Sequence, residues 1–396
     1  MKILYVYDGD WPKGATRVVK ETRSMLRAGH DVHLVCRNSD GQPRLEHDSG
    51  LVVHRLPFVP QRLVNRALNF PYFFNPVWIW TIWRVGRTLR PDRVVVADLP
   101  LALTTIWVGA VLGVPVWFDM AEVYPEFLRS MWQHQPMRLS DHLVRSPRAA
   151  EWLERRVLPR VAGVFVVSEE SRDRCRSLGV PADRIVIVGN TPADVSALQA
   201  RHALPPDLAP WRTRPRVLFV GILIADRGVG VAVAAMKRVV RDVPDAVLVV
   251  VGDGNARSAI ADAVAHAGLS EHVALLGWRE HALLPAYYAH AHVGLLPFPD
   301  GPHVRITLAN KLFDYMAAGL PVVATDLPPM RRIVEGTGAG VLVRPNDAED
   351  LARGIVAVLR DEDRRLAMGR AGRDAVRDRY HWDADAERML AALTPD

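Results

Sequence analysis

The sequence contains few cysteines and few lysines. Cys36 and Cys175 are its only cysteines, and neither lies in a C-x-x-C pair or another metal-like pattern. This usage argues against a disulfide-rich secreted domain and predicts a reducing, cytoplasmic location. Only five of the 50 basic residues are lysine, which sets Lys311 apart from the many arginines.

Signals for several other protein classes are also missing. No basic run with interleaved aromatic residues occurs, so nucleic acid is not an expected partner. The N-terminus leads directly into a strand-like segment, which predicts no signal peptide. A G-x-G-x-x-G loop is absent, so a dinucleotide cofactor is not expected. The net charge of +6 suits an anionic substrate or an anionic membrane surface.

One apolar stretch is long enough to raise the question of a membrane span. Residues Leu99 to Phe118 carry no charge and are numerous enough to cross a bilayer. Gly113 and Pro115 interrupt the stretch, and these residue types end helices. We therefore interpret it as a core helix followed by a strand.

A second stretch, at 69–83, is rich in aromatic residues and is flanked by Arg66, Arg84 and Arg87. Two interpretations are open. One is a set of helices that fold into the first domain. The other is a patch through which the protein contacts the inner face of a membrane, or a lipid acceptor, from the cytoplasm.

The pattern along the chain predicts two α/β domains. The 396 residues are enough for two domains with their own cores. Strand-like and helix-like segments alternate over Ile3 to Cys36, which predicts a right-handed βαβ unit at the start of a doubly wound sheet. A proline-rich linker at 193–215 then separates domains at 1–192 and 216–379. Gly14 lies in the first βα loop, where such sheets bind ligands.

The segment around Lys311 is the most informative part of the sequence. Asn310 is predicted to cap a helix that runs to Ala318, and Gly319 is predicted to end it. Lys311 and Asp314 are three residues apart and share one face of that helix. A helix N-terminus beside a cation is a favourable phosphate site, and the acid one turn further in can hold sugar hydroxyls.

Residues Ala309 to Val323, ANKLFDYMAAGLPVV, resemble the donor-site segment of family 4 glycosyltransferases. Those enzymes have the α/β fold called GT-B, in which two doubly wound, Rossmann-like domains face each other across a cleft. The resemblance implies that 1–192 is the acceptor-side domain, completed by a C-terminal helix at 380–396. It also implies that 216–379 binds the donor, a nucleotide diphosphate sugar.

The implied activity is transfer of a sugar from this donor to a glycan, lipid-linked or small-molecule acceptor, with retained anomeric configuration. The predicted catalytic residues are Arg227, Lys311 and Glu122. The predicted donor-binding residues are Gly14, Gly221, Trp278, Arg279, Arg305, Thr307, Leu308, Ala309, Asn310, Leu312 and Asp314. Arg227, Lys311 and the helix N-terminus are expected to stabilise the leaving diphosphate, so neither a metal nor another cofactor is expected.

The sequence departs from the family pattern at three positions. Ile306 replaces an acid of the donor segment, Ile222 replaces an arginine of the glycine loop at 221–228, and Ala121 replaces a histidine. Asp119 and Glu122 remain as polar candidates near Ala121, with helix capping as their structural alternative. These departures keep a non-catalytic nucleotide-sugar-binding subunit open as an alternative, together with a nucleotide-sugar epimerase and a phosphorylase-like enzyme on the same fold.

A short acidic motif, Asp8-Gly9-Asp10, looks like the D-x-D metal motif of other glycosyltransferases. It follows the first predicted strand, Ile3 to Tyr7, at the start of a loop. Aspartate and glycine are common in turns for local reasons, so we interpret the motif as turn chemistry.

Overall fold

The computed structural model describes residues 1–61, 73–134 and 145–394. The chain divides into two compact units. Unit 1 is Met1–Gly189 with Asp383–Asp396, and unit 2 is Asn190–Trp382. Residues 193–215, expected as a linker, contribute a short helix and a 3-10 turn to unit 2.

Unit 1 contains an eight-stranded sheet in the order β3-β4-β2-β1-β5-β6-β7-β8. The neighbouring strands are parallel except for β3 and β4. The central strands are short runs of buried valine, leucine and phenylalanine, as expected for a sheet that is covered on both faces. The strands are β1 Lys2–Asp10, β2 Asp31–Arg37, β3 Leu45–Asp48, β4 Leu51–Arg55, β5 Arg93–Ala97, β6 Val116–Met120, β7 Gly163–Val166 and β8 Ile185–Ile187.

The helices of unit 1 connect these strands, and the last of them returns from the end of the chain. They are α1 Thr16–Arg27, α2 Pro76–Leu89, α3 Leu99–Leu112, α4 Tyr124–His134, α5 Pro147–Val157, α6 Glu169–Ser177 and α15 Trp382–Leu393. Two hydrogen bonds fix α15 on the sheet of unit 1. Arg388 donates to the carbonyl of Ile187, and Arg93 donates to the carbonyl of Leu393.

Unit 2 contains a six-stranded parallel sheet in the order β11-β10-β9-β12-β13-β14. This is the Rossmann strand order, with the change of direction between β9 and β12. Its strands are β9 Arg216–Val220, β10 Val247–Val251, β11 Val273–Gly277, β12 Val293–Leu296, β13 Val322–Thr325 and β14 Gly340–Val343. Its helices are α7 Val195–Gln199, α8 Val229–Asp242, α9 Arg257–His266, α10 Leu284–Ala289, α11 Asn310–Ala318, α12 Pro328–Thr337, α13 Ala348–Arg360 and α14 Glu362–Asp378.

The end of β1 differs from the prediction. The strand continues through Asp10, so Asp8 and Asp10 belong to the strand and not to a turn. The Asp8 carboxylate accepts a hydrogen bond of 2.6 Å from the Arg37 guanidinium, and Asp10 accepts one of 2.8 Å from the backbone N–H of Ser39. Partners from the neighbouring strand, distant in sequence, therefore extend β1 beyond its apolar residues.

The uncharged stretch from Leu99 to Phe118 forms a helix and a strand, as predicted. Helix α3 ends at Leu112, where Gly113 adopts the left-handed conformation, and β6 begins at Val116. Within 1–61, 73–134 and 145–394, no helix is both long enough and apolar enough to cross a membrane.

The aromatic stretch is described only from Phe73 onward; its first residues, 69–72, and Arg66 lie outside the described ranges. Asn75 caps α2 by accepting hydrogen bonds from the backbone N–H groups of Val77 and Trp78. Trp78 is buried against unit 1, whereas Trp80 is exposed. One face of α2 therefore packs as core, and the other leaves aromatic surface at the outside.

A buried ion cluster holds α1 against the sheet of unit 1. The Arg17 guanidinium donates to both carboxylate oxygens of Asp119, at distances from 2.7 to 3.0 Å, and lies 3.0 Å from Glu21. It also donates to the carbonyls of Val188 and Gly189. Asp119 was expected at a ligand site or as a helix cap; instead, it lies within β6 and is bound by Arg17.

The same cluster perturbs two further acids. The Tyr5 hydroxyl donates a hydrogen bond of 2.5 Å to Glu21. Burial, followed by the charge of Asp119, raises the pKa of Glu21, and burial also raises the pKa of Tyr5. Arg17 is therefore the cation that makes the burial of these carboxylates tolerable.

We expect Arg17→Met to destabilise unit 1 by about 3–5 kcal/mol, because it leaves Asp119 and Glu21 buried without their cation. Urea unfolding followed by circular dichroism measures this change. Arg23→Met is the matched control on the same helix: its ion pair with Asp48 is partly exposed, and its loss should cost less than about 1 kcal/mol. Equal losses for the two variants would contradict the role given to Arg17.

Candidate functional site

The topology of unit 2 predicts where a ligand binds. The loops that follow β9 and β12 leave the sheet in opposite directions, which opens a crevice at the carboxyl ends of these two strands. The loop after β9 contains Gly221 and Arg227. The loop after β12 leads to the N-terminus of α11, which carries Lys311.

Two glycines allow these loops to come together. Gly221 has a φ of 145°, and a Cβ atom at this residue would lie 2.5 Å from Nζ of Lys311. Gly228 has a φ of 71°, and a Cβ atom there would overlap the carbonyl oxygen of Pro297. The first glycine therefore makes room for the Lys311 ammonium, and the second lets the two loops touch.

Lys311 and Arg227 converge on one aromatic ring. The Lys311 ammonium lies 4.2 Å from the ring centroid of Phe219 and 5.5 Å from that of Phe298. The Arg227 guanidinium lies 5.6 Å from the centroid of Phe298. Sequence reasoning missed both phenylalanines, because each belongs to an apolar run that reads as core. Their position at or just after the end of a strand is the only signal that could have drawn attention to them.

The environment of Lys311 favours its neutral form. Burial, followed by the charge of Arg227, lowers the pKa of Lys311 to about 7, and Asp314 and Asp226 partly oppose this shift. Within the described ranges, the ammonium makes no hydrogen bond or ion pair with the protein. A polyanion placed beside it would supply the missing counter-charge.

The N-terminus of α11 adds main-chain donors. Ala309 occupies the N-cap position with an extended backbone and no side-chain cap, and Asn310 is the first helical residue. The prediction that Asn310 caps the helix is therefore wrong, because its backbone is already helical. The N–H of Leu312 bonds to the carbonyl of Ala309, whereas helix geometry leaves the N–H groups of Asn310 and Lys311 without intrahelical acceptors.

Helix α11 is tied to the glycine loop from below. The buried hydroxyl of Tyr315 accepts a hydrogen bond of 3.0 Å from the N–H of Val220, the last residue of β9. Gly319 ends the helix in the left-handed conformation, as predicted. The helix N-terminus therefore has a fixed position relative to the loop that carries Arg227.

Several predicted donor-binding residues face away from a ligand or already have protein partners. The side chains of Leu308 and Leu312 are buried in the hydrophobic core, so only their main chains remain for a ligand. The Arg305 guanidinium is exposed and binds the Asp300 carboxylate through two hydrogen bonds of 2.6 Å. Arg279 donates to Asp207 and to the hydroxyl of Tyr287.

Other predicted residues stay available around the crevice. Trp278 follows β11 and is 66% exposed, so it is not a core residue. The hydroxyl of Thr307 is buried and has no hydrogen-bond partner in the described part of the chain. Asp314 is half-buried on α11 and raises the pKa of Lys311, which places its negative charge near the ammonium.

The predicted residues of unit 1 lie at the carboxyl ends of its strands. Gly14 is exposed with a φ of 72° in the loop between β1 and α1, and Glu122 is half-buried just after β6. Sequence reasoning missed Asp98, which follows β5 with a φ of 66°. Burial and the charges of Asp119, Glu122 and Asp8 raise the pKa of Asp98 to about 8. This edge of unit 1 therefore holds acids, and unit 2 holds the two cations.

The two units match two models of one group of enzymes. The glycosyl transferase 4-like domain model matches residues 14–191, and the model for glycosyl transferases group 1 matches residues 214–361. Together the two models span most of the chain, and the second contains the loops of the crevice. The chain is a family 4 glycosyltransferase.

Curated relatives of this glycosyltransferase carry transferase names. It is 25% identical over 381 residues to a 2-deoxystreptamine glucosyltransferase of Streptomyces kanamyceticus, an alignment that covers 92% of this chain and 94% of the relative. It is 32% identical over 237 residues to a phosphatidyl-myo-inositol mannosyltransferase of Mycobacterium tuberculosis, covering 58% of this chain and 59% of the relative. The chain is accordingly an enzyme that uses nucleotide-sugar donors.

Solved structures show that this glycosyltransferase has the GT-B fold. Sucrose-phosphate synthase from Thermosynechococcus elongatus superposes with a TM-score of 0.74 and 20% identity, covering 99% of this chain and 98% of the other. HepE of Anabaena, solved in complex with UDP, superposes with a TM-score of 0.72 and 15% identity, covering 99% of each chain. At these identities the likeness establishes the fold and leaves the ligand to the chemistry of the site.

We expect Arg227→Ala to weaken binding of a nucleoside diphosphate by about 10- to 150-fold and to leave nucleoside binding nearly unchanged. One lost charge-assisted hydrogen bond to phosphate is worth roughly 1.5–3 kcal/mol. Titration calorimetry with UDP, GDP and the matching nucleosides measures both affinities. Arg353→Ala, which removes an exposed arginine paired with Asp350 on α13, is the control. Equal losses for diphosphate and nucleoside would remove Arg227 from the phosphate site.

We also expect nucleoside diphosphate binding to weaken as the pH rises above about 7. The free protein loses the Lys311 proton near this pH, while the bound diphosphate requires the ammonium, so binding at higher pH must take up a proton. The dissociation constant should then rise by up to about tenfold per pH unit. Lys311→Arg should bind with little pH dependence, because arginine stays charged. A flat profile for the unmodified protein would show that Lys311 does not bind phosphate.

Proposed function

We propose that this glycosyltransferase transfers its sugar with retention of anomeric configuration and without a divalent metal. The donor diphosphate binds at the carboxyl ends of β9 and β12. Arg227, Lys311 and the N–H groups of Asn310 and Lys311 hold it there. The observation that carries the proposal is the convergence of Lys311 and Arg227 on Phe298.

These groups suit the chemistry of the leaving group. Negative charge grows on the diphosphate as the bond to the sugar breaks, and donors held in place by the fold stabilise that charge without rearranging. Lys311 sits where burial strengthens its interaction with an anion. Charge that a metal supplies in other transferases is therefore available from the protein itself.

The remaining predicted donor residues are placed around the diphosphate. In the proposed arrangement, Asp314 accepts hydrogen bonds from hydroxyls of the ribose or the sugar, and exposed Trp278 flanks the base. Thr307 offers its buried hydroxyl next to the helix N-terminus. Gly221 lets the donor approach the main chain closely, and Arg279 positions the loop after β11 through its bonds to Asp207 and Tyr287.

Retention needs no protein nucleophile in this scheme. The leaving phosphate oxygen takes the proton of the acceptor hydroxyl on the face from which it departs. Ala121 provides no polar side chain near the transferred sugar, so Glu122 is the proposed polar contact in unit 1, with Gly14 leaving space in the first loop. The acceptors in the names of the two relatives, 2-deoxystreptamine and phosphatidyl-myo-inositol, differ in class, and the acceptor here is left open.

We also propose a cytoplasmic protein that contacts a membrane peripherally. Both cysteines are free and buried, as suits a reducing compartment. The exposed side of α2 presents Trp80, with the Arg84 guanidinium 4.8 Å from its ring. An aromatic ring beside a cation is a frequent element of surfaces that meet lipid headgroups.

One observation favours the alternative of a non-catalytic binding subunit. Ile222 is exposed on the glycine loop at the position where family members carry an arginine, so one phosphate cation is missing there. Such a subunit would bind nucleotide sugars and release no sugar from them. Measuring turnover therefore separates the two functions.

The test is release of nucleoside diphosphate from a panel of UDP-, GDP-, TDP- and ADP-sugars, with excess chelator or with added magnesium or manganese. We expect a donor to be turned over equally under both conditions, and the product sugar, followed by NMR, to keep its anomeric configuration. Lys311→Met should reduce this turnover strongly, while Arg353→Ala should not.

Activity that disappears in chelator, returns with metal and is lost in Asp8→Asn or Asp10→Asn would overturn the metal-free proposal. Inversion of the anomeric centre would overturn retention. Tight donor binding without any turnover would support the non-catalytic alternative.

A further inference from the structure

Helix α3 of unit 1 presents an apolar face to the outside. It carries no charged residue, and its sequence LPLALTTIWVGAVL is apolar around most of its circumference. Trp107 is 47% exposed and Val111 is 56% exposed, and Ala110 lies exposed between them. Helix faces on the surface of a globular protein are normally polar, so this face requires a reason.

The apolar face continues onto the segment before α2. Phe74, which is also exposed, packs its ring edge-on against Trp107 with centroids 5.9 Å apart. The hydroxyl of Thr104 donates to the carbonyl of Phe73, which fixes this segment on α3. Trp80 on the next turns of α2 extends the aromatic surface.

Three arginines accompany the tryptophans of the helices that flank α3. On α2, the guanidinium of Arg84 lies 4.8 Å from the ring of Trp80, and that of Arg87 lies 5.4 Å from the ring of Trp83. On α5, the guanidinium of Arg156 lies 4.8 Å from the ring of exposed Trp152. Aromatic rings with a cation above them can sit at the level of lipid headgroups.

A groove opens beside α3 at the amino ends of the strands of unit 1. Its volume is about 440 Å³, and its walls come from α3, from the segment before β6 and from the turn after α5. Two arginines lie at it, next to aliphatic side chains. The lining includes Ile106, Ala110, Val114, Pro159, Arg160 and Arg184. Apolar walls beside cations suit an acyl chain with an anionic headgroup.

The charges of this surface are of one sign. Neither α2 nor α3 contains an acidic residue. The two acids of α5 are already bound, Glu151 by Arg129 and Glu154 by Arg174. The exposed guanidinium groups of Arg84, Arg156 and Arg184 make no ion pair within the described ranges. Asp183, next to Arg184, is the exposed acid that the surface does contain in sequence proximity.

We propose that the outward face of α3, with the adjoining groove and the Trp–Arg pairs of α2 and α5, docks the protein on an anionic lipid membrane. Trp107 and Val111 enter the headgroup layer, and the arginines meet lipid phosphates. This deepens the membrane contact proposed for α2 by placing its centre on α3, in a stretch that sequence analysis assigned to the core.

The position of the surface supports a docking role separate from catalysis. The groove lies at the amino ends of β6 and β7, whereas Gly14, Asp98 and Glu122 lie at the carboxyl ends of the strands. The ligand-binding edge of unit 1 is therefore not consumed by lipid contact. An uncharged face surrounded by unpaired arginines also fits anionic lipid better than a second copy of the same surface, because two copies would bring like charges together.

Flotation of the full chain with vesicles tests the proposal. We expect binding to phosphatidylcholine vesicles that contain phosphatidylglycerol, much weaker binding to pure phosphatidylcholine, and loss of binding at high salt. The double variant Trp107→Glu with Val111→Glu should reduce binding at least about tenfold, because it places two charges in the apolar face. Arg84→Gln with Arg156→Gln should reduce it by about fivefold or more.

Matched controls lie on α14 of unit 2. Leu366 is 47% exposed, and Leu366→Glu adds a charge without touching the proposed surface. Arg364 and Arg370 are exposed arginines, and replacing both by glutamine matches the charge change. These controls should bind vesicles like the unmodified protein, and all variants should keep the circular dichroism spectrum and the UDP or GDP affinity of the unmodified protein.

Three outcomes would overturn the inference. The unmodified protein fails to float, or the Trp107→Glu, Val111→Glu variant floats normally while Trp80→Glu does not, which would leave the contact on α2 alone. The third is light scattering that shows a dimer which the double variant dissociates, with no vesicle binding, so that a second copy covers the face. Nucleotide affinity is measured separately, so failure here does not count against the proposed transfer reaction.

Discussion

Two cations held against one aromatic ring dominate the electrostatics of unit 2. Lys311 and Arg227 repel each other, and burial makes the Lys311 charge more costly still, which lowers its pKa to about 7. The protein keeps this arrangement because the Rossmann strand order brings the ends of β9 and β12 together and because glycines at 221 and 228 remove the side chains that would separate the loops. The unfavourable pair is relieved by an anion, so affinity for diphosphate is a direct result of how the strands are ordered.

Unit 1 has the opposite character at the corresponding edge of its sheet. Burial and neighbouring carboxylates raise the pKa of Asp98 and Glu21, so that negative charge is already in excess there. Its buried cation, Arg17, is bound by Asp119 and by two carbonyls. A second diphosphate site in unit 1 would have to overcome this field, whereas neutral hydroxyl compounds would not. The charge distribution thus assigns the anionic part of the donor to unit 2.

Local sequence predicted much of the fold and part of the site. The spacing of Leu312, Tyr315 and Met316 and the stop at Gly319 predicted α11, and interruptions at Gly113 and Pro115 predicted the boundary between α3 and β6. Both depend on residues close to each other in the chain. The family-like motifs also pointed to Arg227 and Lys311, which the structure brings to the same ring.

The predictions that failed depend on partners far away in the sequence. Asp119 is bound by Arg17, 102 residues earlier, so no local pattern distinguishes it from a ligand-binding acid. Arg279 is held by Asp207, 72 residues earlier, and β1 extends through Asp10 because β2 supplies hydrogen bonds. Asn310 shows a finer limit: the backbone decides whether a residue caps a helix or begins it, and its side chain suits either position.

The bond between the Tyr315 hydroxyl and the Val220 N–H has a consequence for how this enzyme could diverge. It joins the donor helix to the first strand of unit 2, so that Lys311, the helix N-terminus and the start of the glycine loop form one inflexible frame. A substitution within the frame disturbs every phosphate contact at once. Mutations at the exposed rim, such as Trp278, leave the frame intact. New donor preferences should therefore arise in evolution by exchange of rim residues, with the phosphate frame inherited unchanged.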